Sequence, residues 1–465
     1  MKDVREFVLK TPPGGVKRYD HDALCDLLKV DDRSRVIFEQ GVGREAVVRI
    51  YPTNPLMSMR PVRVDDLLMD ERGRITIGTY YDGSPLRFRL FDPKTGNAQR
   101  AAVFGTTGAG KSRLVQAILI ACKQSGIVVH LADLKSGQSV PEAAGQVATR
   151  VTTQYEAILM LRGLVAEAER RMRDYAARGR SGFVIGAPDP LVYGIIDEAN
   201  RLLEKGAPFR DEAAVLIKEL GRTGRSVGVG IIIAAQAGHL DELGGSDTLR
   251  AMLKEGEVIL LRWSSGMMQQ LVSDGLLPRG EALQPIPKII GRVQRIRRYH
   301  ETAAEDDDDA NSQGMLYHLT GARPMSMART YVVGSVAPCP GFDPLILDLY
   351  GGHAPPGVAV DLEAYVTAKE RAAAPGAGGH TATSPAPADE VATPRTTAER
   401  ILAALPAHGD GMSEGDLLDA LNADGHGGSR PVRRGTLRTT ISALRDKGLI
   451  ARPDGTGTVR PAPAN

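Results

Sequence analysis

One glycine-rich segment limits the fold of this chain more than any other feature: Gly105-Thr106-Thr107-Gly108-Ala109-Gly110-Lys111-Ser112. It lies between the apolar run Ala101–Phe104 and a helical pattern. Glycines at such a junction let several backbone N–H groups converge on one anion, and the helix that begins there adds the positive end of its dipole. The spacing assigns Lys111 to the β- and γ-phosphates of a nucleotide and Ser112 to Mg²⁺. We therefore expect ATP and Mg²⁺ as cofactors.

A second apolar run, Leu191–Ile196, ends in two acids, Asp197 and Glu198. The carboxyl ends of parallel strands are where open α/β sheets bind ligands. Cleavage of a phosphoanhydride needs a carboxylate near the metal and a group that positions water. We predict that Asp197 assists Mg²⁺ and that Glu198 polarises the attacking water. The alternative is a helix N-terminus that is merely stabilised by acids.

Three further residues are candidates for the catalytic site. Gln236 directly follows the apolar run Val229–Ala235, and we predict that it senses the γ-phosphate. Arg225, and after it Arg222, could enter the site of a neighbouring subunit and stabilise charge on the transferring phosphate. The alternative for both arginines is an ordinary surface position.

Strands and helices alternate from residue 96 to residue 300, which predicts an α/β fold with a doubly wound parallel sheet. We interpret it as a P-loop core of the RecA-like ASCE type. The clearest helix is predicted from Gln154 to about Arg178. Residues 1–95 form a small β-rich N-terminal region without assigned chemistry. The predicted strands are Ala101–Phe104, Ile127–Ala132, Leu191–Ile196, Val229–Ala235 and Val258–Leu261.

The composition changes after the core. Residues 301–370 contain the acidic run Glu305–Asp309, which is typical of a solvated loop, and extend the core. Residues 371–395 are rich in Ala, Pro and Gly and predict a disordered linker. Residues 396–465 predict three helices, the second capped by Ser413, followed by a β-hairpin around Asp454-Gly455. This is the pattern of a winged helix-turn-helix.

The third of these helices, Thr436 to Lys447, is predicted to lie in the major groove of DNA. Arginine can read guanine through two hydrogen bonds, and arginines flanking the helix suit phosphates. Protein binding, or a merely solvated face, is the alternative. The candidate DNA contacts are Arg438, Thr439, Ser442 and Arg445 on the helix, Arg433 and Arg434 before it, and Arg452 and Arg460 beside the wing.

Charge and cysteine content set few limits. The formal net charge is +2, which neither requires nor excludes a nucleic-acid partner. Cys25, Cys122 and Cys339 have no metal-ligand spacing. The start of the chain lacks the apolar centre of a signal peptide, and no run approaches the ~20 apolar residues of a membrane span. We therefore expect a cytoplasmic protein, at most peripheral to the membrane.

Four stretches together resemble the FtsK/SpoIIIE family of DNA-pumping ATPases, over roughly residues 96–300. With a linker and a winged helix added, the chain looks most like the TraB-type transfer proteins of actinomycete conjugative plasmids. The matching stretches are Gly105–Ser112, Ala132-Asp133-Leu134-Lys135, Ile195-Ile196-Asp197-Glu198, and Gly224-Arg225-Ser226-Val227-Gly228-Val229 continuing to Gln236.

The resemblance implies a hexameric ring that hydrolyses ATP and moves along double-stranded DNA. It also implies that the winged helix reads short repeated sequences and that plasmid DNA passes between cells in conjugation. Two alternatives stay open from the sequence. One is a chromosome-segregation pump of the same family, and the other is a DNA-binding ATPase switch that acts as a replication initiator or regulator.

Overall fold

The structure is a computed structural model. It divides into two compact units, Met1–Pro375 and Gly376–Asn465. The residues it describes are 3–10, 20–40, 45–236, 247–262, 283, 285–288, 290, 311–324, 326–373, 401–402, 404–405, 412–422, 434–446, 450–451 and 458–461.

The described helices and strands alternate as predicted through the core. The strands are β1 Arg5–Lys10, β2 Val36–Gln40, β3 Glu45–Ile50, β4 Arg74–Tyr80, β5 Pro85–Arg89, β6 Phe91–Asp92, β7 Asn97–Ala98, β8 Ala101–Gly105, β9 Val128–Asp133, β10 Thr149–Val151, β11 Val192–Asp197, β12 Val229–Ala235, β13 Glu257–Leu261, β14 Met315–His318, β15 Met327–Thr330, β16 Met412–Ser413, β17 Ile450–Ala451 and β18 Thr458–Pro461. The α-helices are α1 His21–Leu27, α2 Val64–Leu67, α3 Lys111–Gln124, α4 Gln154–Ala177, α5 Asn200–Leu203, α6 Arg210–Thr223, α7 Asp247–Lys254, α8 Pro344–Tyr350, α9 Ala368–Ala373, α10 Glu414–Asn422 and α11 Arg434–Asp446. Short 3-10 helices occupy Arg33–Arg35, Pro141–Ala143, Gly224–Val227 and Leu362–Tyr365.

One ten-stranded sheet organises the first unit, in the order β10-β9-β11-β12-β8-β13-β14-β15-β4-β5. The strands from β10 to β13 run parallel to their neighbours. The predicted parallel sheet is therefore present from β10 to β13, and the sheet is mixed because β14, β15, β4 and β5, which the sequence analysis did not place in it, continue it antiparallel. Strand β12 lies between β8, which leads into the glycine-rich segment, and β11, which ends in the two acids. The polar ends of these three strands therefore meet at one edge of the sheet.

The centre of the sheet is apolar because it is covered on both faces. Every residue of β8, β9, β11 and β12 is buried. Helix α4 begins at a capping box between Thr153 and Glu156. Its apolar side chains are buried or pack against the core, namely Ile158, Leu161, Leu164, Val165, Ala168 and Met172. Gly194 in β11 admits this helix, since a Cβ there would lie 2.6 Å from Leu164 Cδ1.

The boundary predicted at residue 95 does not coincide with an edge of the main sheet. Strands β4 and β5 lie before residue 95, and β4 pairs with β15 inside that sheet. Strands β1, β3 and β2 form a separate antiparallel sheet with a small core around Cys25, Val36 and Val48. The N-terminal region is thus rich in strands, but part of it completes the sheet of the core.

The segment after α8 returns across the same unit. Arg162 of α4 donates to Glu370 at 2.9 Å and to Glu212 at 2.7 Å. Gly357 packs closely against Val128, since a Cβ added to Gly357 would lie 2.6 Å from a methyl carbon of Val128. The chain is therefore fastened to the core up to α9, and residues 374–395 of the predicted linker lie outside the described residues.

The second unit has a core of its own, which includes Ile401, Leu417, Leu437, Ile441 and Val459. Its strands form a small antiparallel sheet in the order β16-β18-β17. The predicted cap is confirmed, because the Asp416 N–H donates to Ser413 Oγ at 3.2 Å. The elements follow the predicted order; the winged helix itself stays a prediction, since residues 423–433, 447–449 and 452–457 lie outside the described residues. Among the helices that the structure describes, none is long and apolar enough to cross a membrane.

Candidate nucleotide site

The glycine-rich segment adopts the conformation that an anion cradle requires. Gly108 and Gly110 have φ of 74° and 103°, in the left-handed region where a side chain is strained. Gly110 is the N-cap of α3, and no side chain caps the first-turn N–H groups of that helix. Those groups are therefore left for an anion at the positive end of a 14-residue helix. The segment fits the phosphates of a nucleotide.

The lysine of this segment meets both predicted acids. Lys111 Nζ lies 2.8 Å from Glu198 Oε2 and 3.6 Å from Asp197 Oδ1. All three residues are buried. Glu198 has φ of 55°, and its N–H donates to Asp197 Oδ1 at 3.0 Å. The structure thus brings together residues that the sequence separates by the whole of β9, β10 and α4.

The carboxylate of Asp197 is buried, and one of its oxygens makes no hydrogen bond to the described residues. Burial raises the pKa of its carboxyl, and the neighbouring Glu198 and Asp133 carboxylates act in the same direction, against Lys111. Its Oδ2 is buried and has no hydrogen-bond partner among the described residues. A bound cation would compensate that charge.

No described group of three or more His, Cys, Asp or Glu residues could hold a metal ion. Mg²⁺ in nucleotide sites takes only one or two protein ligands, and phosphates and water supply the rest. Ser112 and Asp197 therefore stay the predicted Mg²⁺ ligands.

The strands on either side of β11, which are β12 and β9, bring different side chains to this edge of the sheet. Gln236 directly follows β12, which pairs with the P-loop strand β8, and it is exposed; its role as a sensor stays a prediction. Asp133 at the end of β9 is fully buried and accepts backbone N–H groups from Ser139 at 3.0 Å and Val140 at 3.2 Å. Its hydrogen bonds show that it holds the loop after β9.

The two candidate arginines lie at the opposite edge of the sheet from Lys111. Arg225 precedes β12 and donates through Nε to the carbonyl of Ala98 at 3.4 Å, just before β8 begins. Arg222 is exposed near the end of α6. Neither is therefore placed to serve the site of its own chain, and their predicted role in a neighbouring subunit stays a prediction.

Sequence reasoning missed one charged side chain beside the P-loop. Arg262 directly follows β13, the other neighbour of β8, and is buried. Its Nη1 lies 3.6 Å from the position that a Cβ on Gly108 would occupy. The only signal in the sequence was a cation at the end of the predicted strand Val258–Leu261.

The predicted DNA-contacting helix is α11. Arg438, Ser442 and Arg445 are exposed on it, opposite the buried Leu437, Ile441 and Leu444. Arg438 Nε donates to Glu414 Oε2 at 3.0 Å. Arg434 is exposed at the start of α11. Arg433 and Arg452 lie outside the described residues, and the side chains of Thr439 and Arg460 are not described.

A comparison with protein-family models finds no match. The chain is 29% identical over 200 residues to the ESX secretion system protein EccC of Thermomonospora curvata, in a match that covers 38% of this chain and 15% of that protein. It is 28% identical over 194 residues to the ESX-4 secretion system protein EccC4 of Mycobacterium tuberculosis, covering 37% of this chain and 15% of the relative. The match thus spans about a seventh of the length of these curated relatives.

Two solved structures are similar at a lower level. The pCW3 conjugation coupling protein TcpA, in its monomer form with ATPγS, has 17% identity and a TM-score of 0.42, covering 58% of this chain and 76% of that one. The cytoplasmic domain of the Type VII secretion ATPase EccC of T. curvata has 19% identity and a TM-score of 0.43, covering 67% and 34%. The second of these structures is named an ATPase, the enzyme class that the sequence predicts. The resemblance to the FtsK/SpoIIIE family and the narrower TraB-type resemblance stay predictions.

Proposed function

We propose that this chain is an ATP-driven translocase of double-stranded DNA, and that it moves plasmid DNA between cells as a hexameric ring. The observation that carries the ATPase part is the position of Lys111 Nζ, between a P-loop and two buried acids at one sheet edge. A lysine placed in this way can exchange a carboxylate for a phosphate without moving far. The enzyme is then a P-loop ATPase, and DNA is its proposed partner.

The chain's own residues divide the chemistry of the site. ATP, when bound with Mg²⁺, supplies the anhydride whose cleavage releases energy. Lys111 would leave Glu198 and bind phosphate oxygens, while Ser112 and Asp197 would hold Mg²⁺. Glu198, once released, would accept a proton from water at its Oε2. Gln236 would hold the γ-phosphate in register, and Arg225 or Arg222 would act in the site of a neighbouring subunit.

The DNA part of the proposal is supported by the second unit. This unit has its own core, and α11 carries Arg438 and Arg445 on the side opposite that core. The Arg438 side chain is 64% exposed in its ion pair with Glu414, and ion pairs on the surface contribute only about 0–1 kcal/mol. Arg438 can therefore leave Glu414 for a base edge at little cost. We propose that this helix selects short repeated DNA sequences for the motor.

A duplex-length series tests the proposal. ATP hydrolysis is measured with duplexes from about one helical turn to several hundred base pairs, at equal nucleotide concentration. A motor turns over faster on long duplexes, because it runs off short ones. Lys111→Ala should abolish hydrolysis and keep sequence-specific binding, whereas removal of residues 396–465 should keep hydrolysis and lose the sequence preference. Hydrolysis that saturates on one short site would favour the initiator-type switch instead.

A second function is favoured by the comparisons. The curated relatives are named secretion system proteins, so this chain could power the export of a protein. In that case duplex DNA would leave the rate of hydrolysis unchanged at every length. The chromosome-segregation pump would share the length dependence of the proposed translocase, and loss of plasmid transfer in cells that carry Lys111→Ala would separate the two.

A further inference from the structure

The strand beside the P-loop strand brings an arginine to the nucleotide site. β13 pairs in parallel with β8, so that Leu261 lies opposite Gly105, and a Cβ on Gly105 would lie 2.9 Å from that of Leu261. Arg262 follows with φ of 43°, in the left-handed region that few non-glycine residues adopt. Its N–H donates to the Met315 carbonyl at 2.9 Å. The backbone turn therefore fixes where this side chain begins.

The guanidinium of Arg262 is aimed at the loop that cradles phosphate. Its Nη1 is 3.6 Å from the Cβ position of Gly108, and its Nε donates to Ser312 Oγ at 3.1 Å. Ser312 Oγ in turn donates its proton to the Pro287 carbonyl at 2.5 Å, so the lone pairs of Oγ are available to accept from Arg262. The Nε of Arg262 is thus held by Ser312, and its Nη1 faces the P-loop at Gly108.

The charge of Arg262 has no counterion in the described part of the chain. The residue is 7% exposed, and burial lowers the pKa of its guanidinium with no described carboxylate acting against it. A second buried cation stands nearby, since burial and the charge of Arg262 lower the pKa of Arg329 to about 10. Arg329 is bound by carbonyl oxygens, among them those of Leu56 and Gln313. Buried charges are normally paired, so this arrangement calls for an anion.

We propose that Arg262 contacts the phosphate chain of the nucleotide that its own P-loop binds. Arg262 is then a binding residue supplied in cis, distinct from Arg225 and Arg222 at the opposite edge. The inference rests on the nucleotide site proposed above and is independent of the DNA partner. Arg329 keeps the neighbourhood positive and is held too firmly by carbonyl groups to reach the ligand itself.

Equilibrium binding of ATPγS with Mg²⁺ to the full chain tests the inference. We expect Arg262→Gln to weaken binding about tenfold or more, because it removes a charge-assisted hydrogen bond. Arg262→Lys should recover part of the loss, since it restores the charge without the planar fork. Arg100→Gln is the matched control, because Arg100 is equally buried in the same unit but pairs with Glu255 at the far edge.

Thermal denaturation without nucleotide separates binding from a structural role. Arg262→Gln should keep or raise the melting temperature, since it removes an uncompensated buried charge, whereas Arg100→Gln should lower it. ATPγS affinity within twofold of the wild type for Arg262→Gln would overturn the inference. So would a fall in melting temperature like that of Arg100→Gln, with no recovery by lysine. If the wild-type chain itself fails to bind ATPγS, the nucleotide site proposed above is wrong, and this inference falls with it.

Discussion

Replacing Glu198 by Gln should have two opposite effects on the ATPase. Glu198 Oε2 competes with phosphate for Lys111 Nζ, at 2.8 Å and with side chains only 12% and 8% exposed. Glutamine would still accept a hydrogen bond from the Lys111 ammonium, but the attraction between two opposite charges would be lost. Hydrogen bonds to charged groups contribute about 1.5–3 kcal/mol, and we place the ion pair near the upper end of that range and the amide near the lower end. The substitution therefore weakens the competitor by about 1 kcal/mol, and ATP should bind roughly fivefold more tightly. Hydrolysis should fall about 10²–10⁴-fold, because the base is lost.

Two assays on one protein measure these effects. Equilibrium titration with ATPγS gives the affinity, and phosphate release in a single turnover gives the rate of hydrolysis. Glu204→Gln is the control, since Glu204 is exposed at the C-cap of the nearby α5, where only its backbone N–H bonds to the helix, and it should change neither quantity. Weaker ATPγS binding by Glu198→Gln would show that Lys111 does not exchange between carboxylate and phosphate. Hydrolysis above a tenth of the wild-type rate would remove Glu198 from the role of base.

Three further outcomes are expected. Gly110→Ala and Gly126→Ala each place a side chain at positive φ, which costs about 1–2 kcal/mol of stability, and calorimetry should show this loss in both variants. Only Gly110→Ala should also lose ATP binding, because its Cβ would lie 3.1 Å from the Gly314 nitrogen, whereas a Cβ on Gly126 meets open space. Burial lowers the pKa of His130 to about 4, so the unfolded state binds the proton more readily. The free energy of unfolding should therefore fall by up to about 3 kcal/mol as the pH drops from about 6.5 to 4, at 1.36 kcal/mol per pKa unit, and urea denaturation of His130→Gln should lose this dependence. Arg438→Ala should weaken binding to the preferred DNA sequence by about 1–3 kcal/mol in competition assays and leave non-specific binding nearly unchanged.

The parts of the site that sequence could predict are those whose chemistry is local. The cradle needs glycines at fixed offsets from Lys111, so the spacing of the segment alone located it. Asp197 and Glu198 were found because two acids end an apolar run, and parallel strands bring such ends to one edge. Periodicity likewise gave β12 its observed bounds and α4 its bounds to within one residue. In each case the signal lies within one strand, one loop or one helix.

Arg262 could not be predicted in this way, because its role depends on which strand lies beside β8. The sequence gives no pairing partner for β13, and an arginine at a strand end is ordinary without one. The direct ion pair between Lys111 and Glu198 was also beyond prediction, since the sequence suggested a common edge and not a distance. Pairing between distant segments decides both features, and it is read only from the assembled sheet.

The N-terminal region contacts the nucleotide site through backbone groups, which leave no chemical motif in its sequence. The carbonyl of Leu56 accepts a hydrogen bond from Arg329 at 2.6 Å, and the same guanidinium donates to the carbonyl of Gln313 at 2.9 Å. The next residue, Gly314, donates its N–H to the Ala109 carbonyl at 2.9 Å, directly before Gly110. A continuous set of hydrogen bonds therefore runs from the N-terminal region to the P-loop. Such contacts use backbone carbonyls, which any residue supplies, so the region braces the nucleotide site without a motif that would mark it.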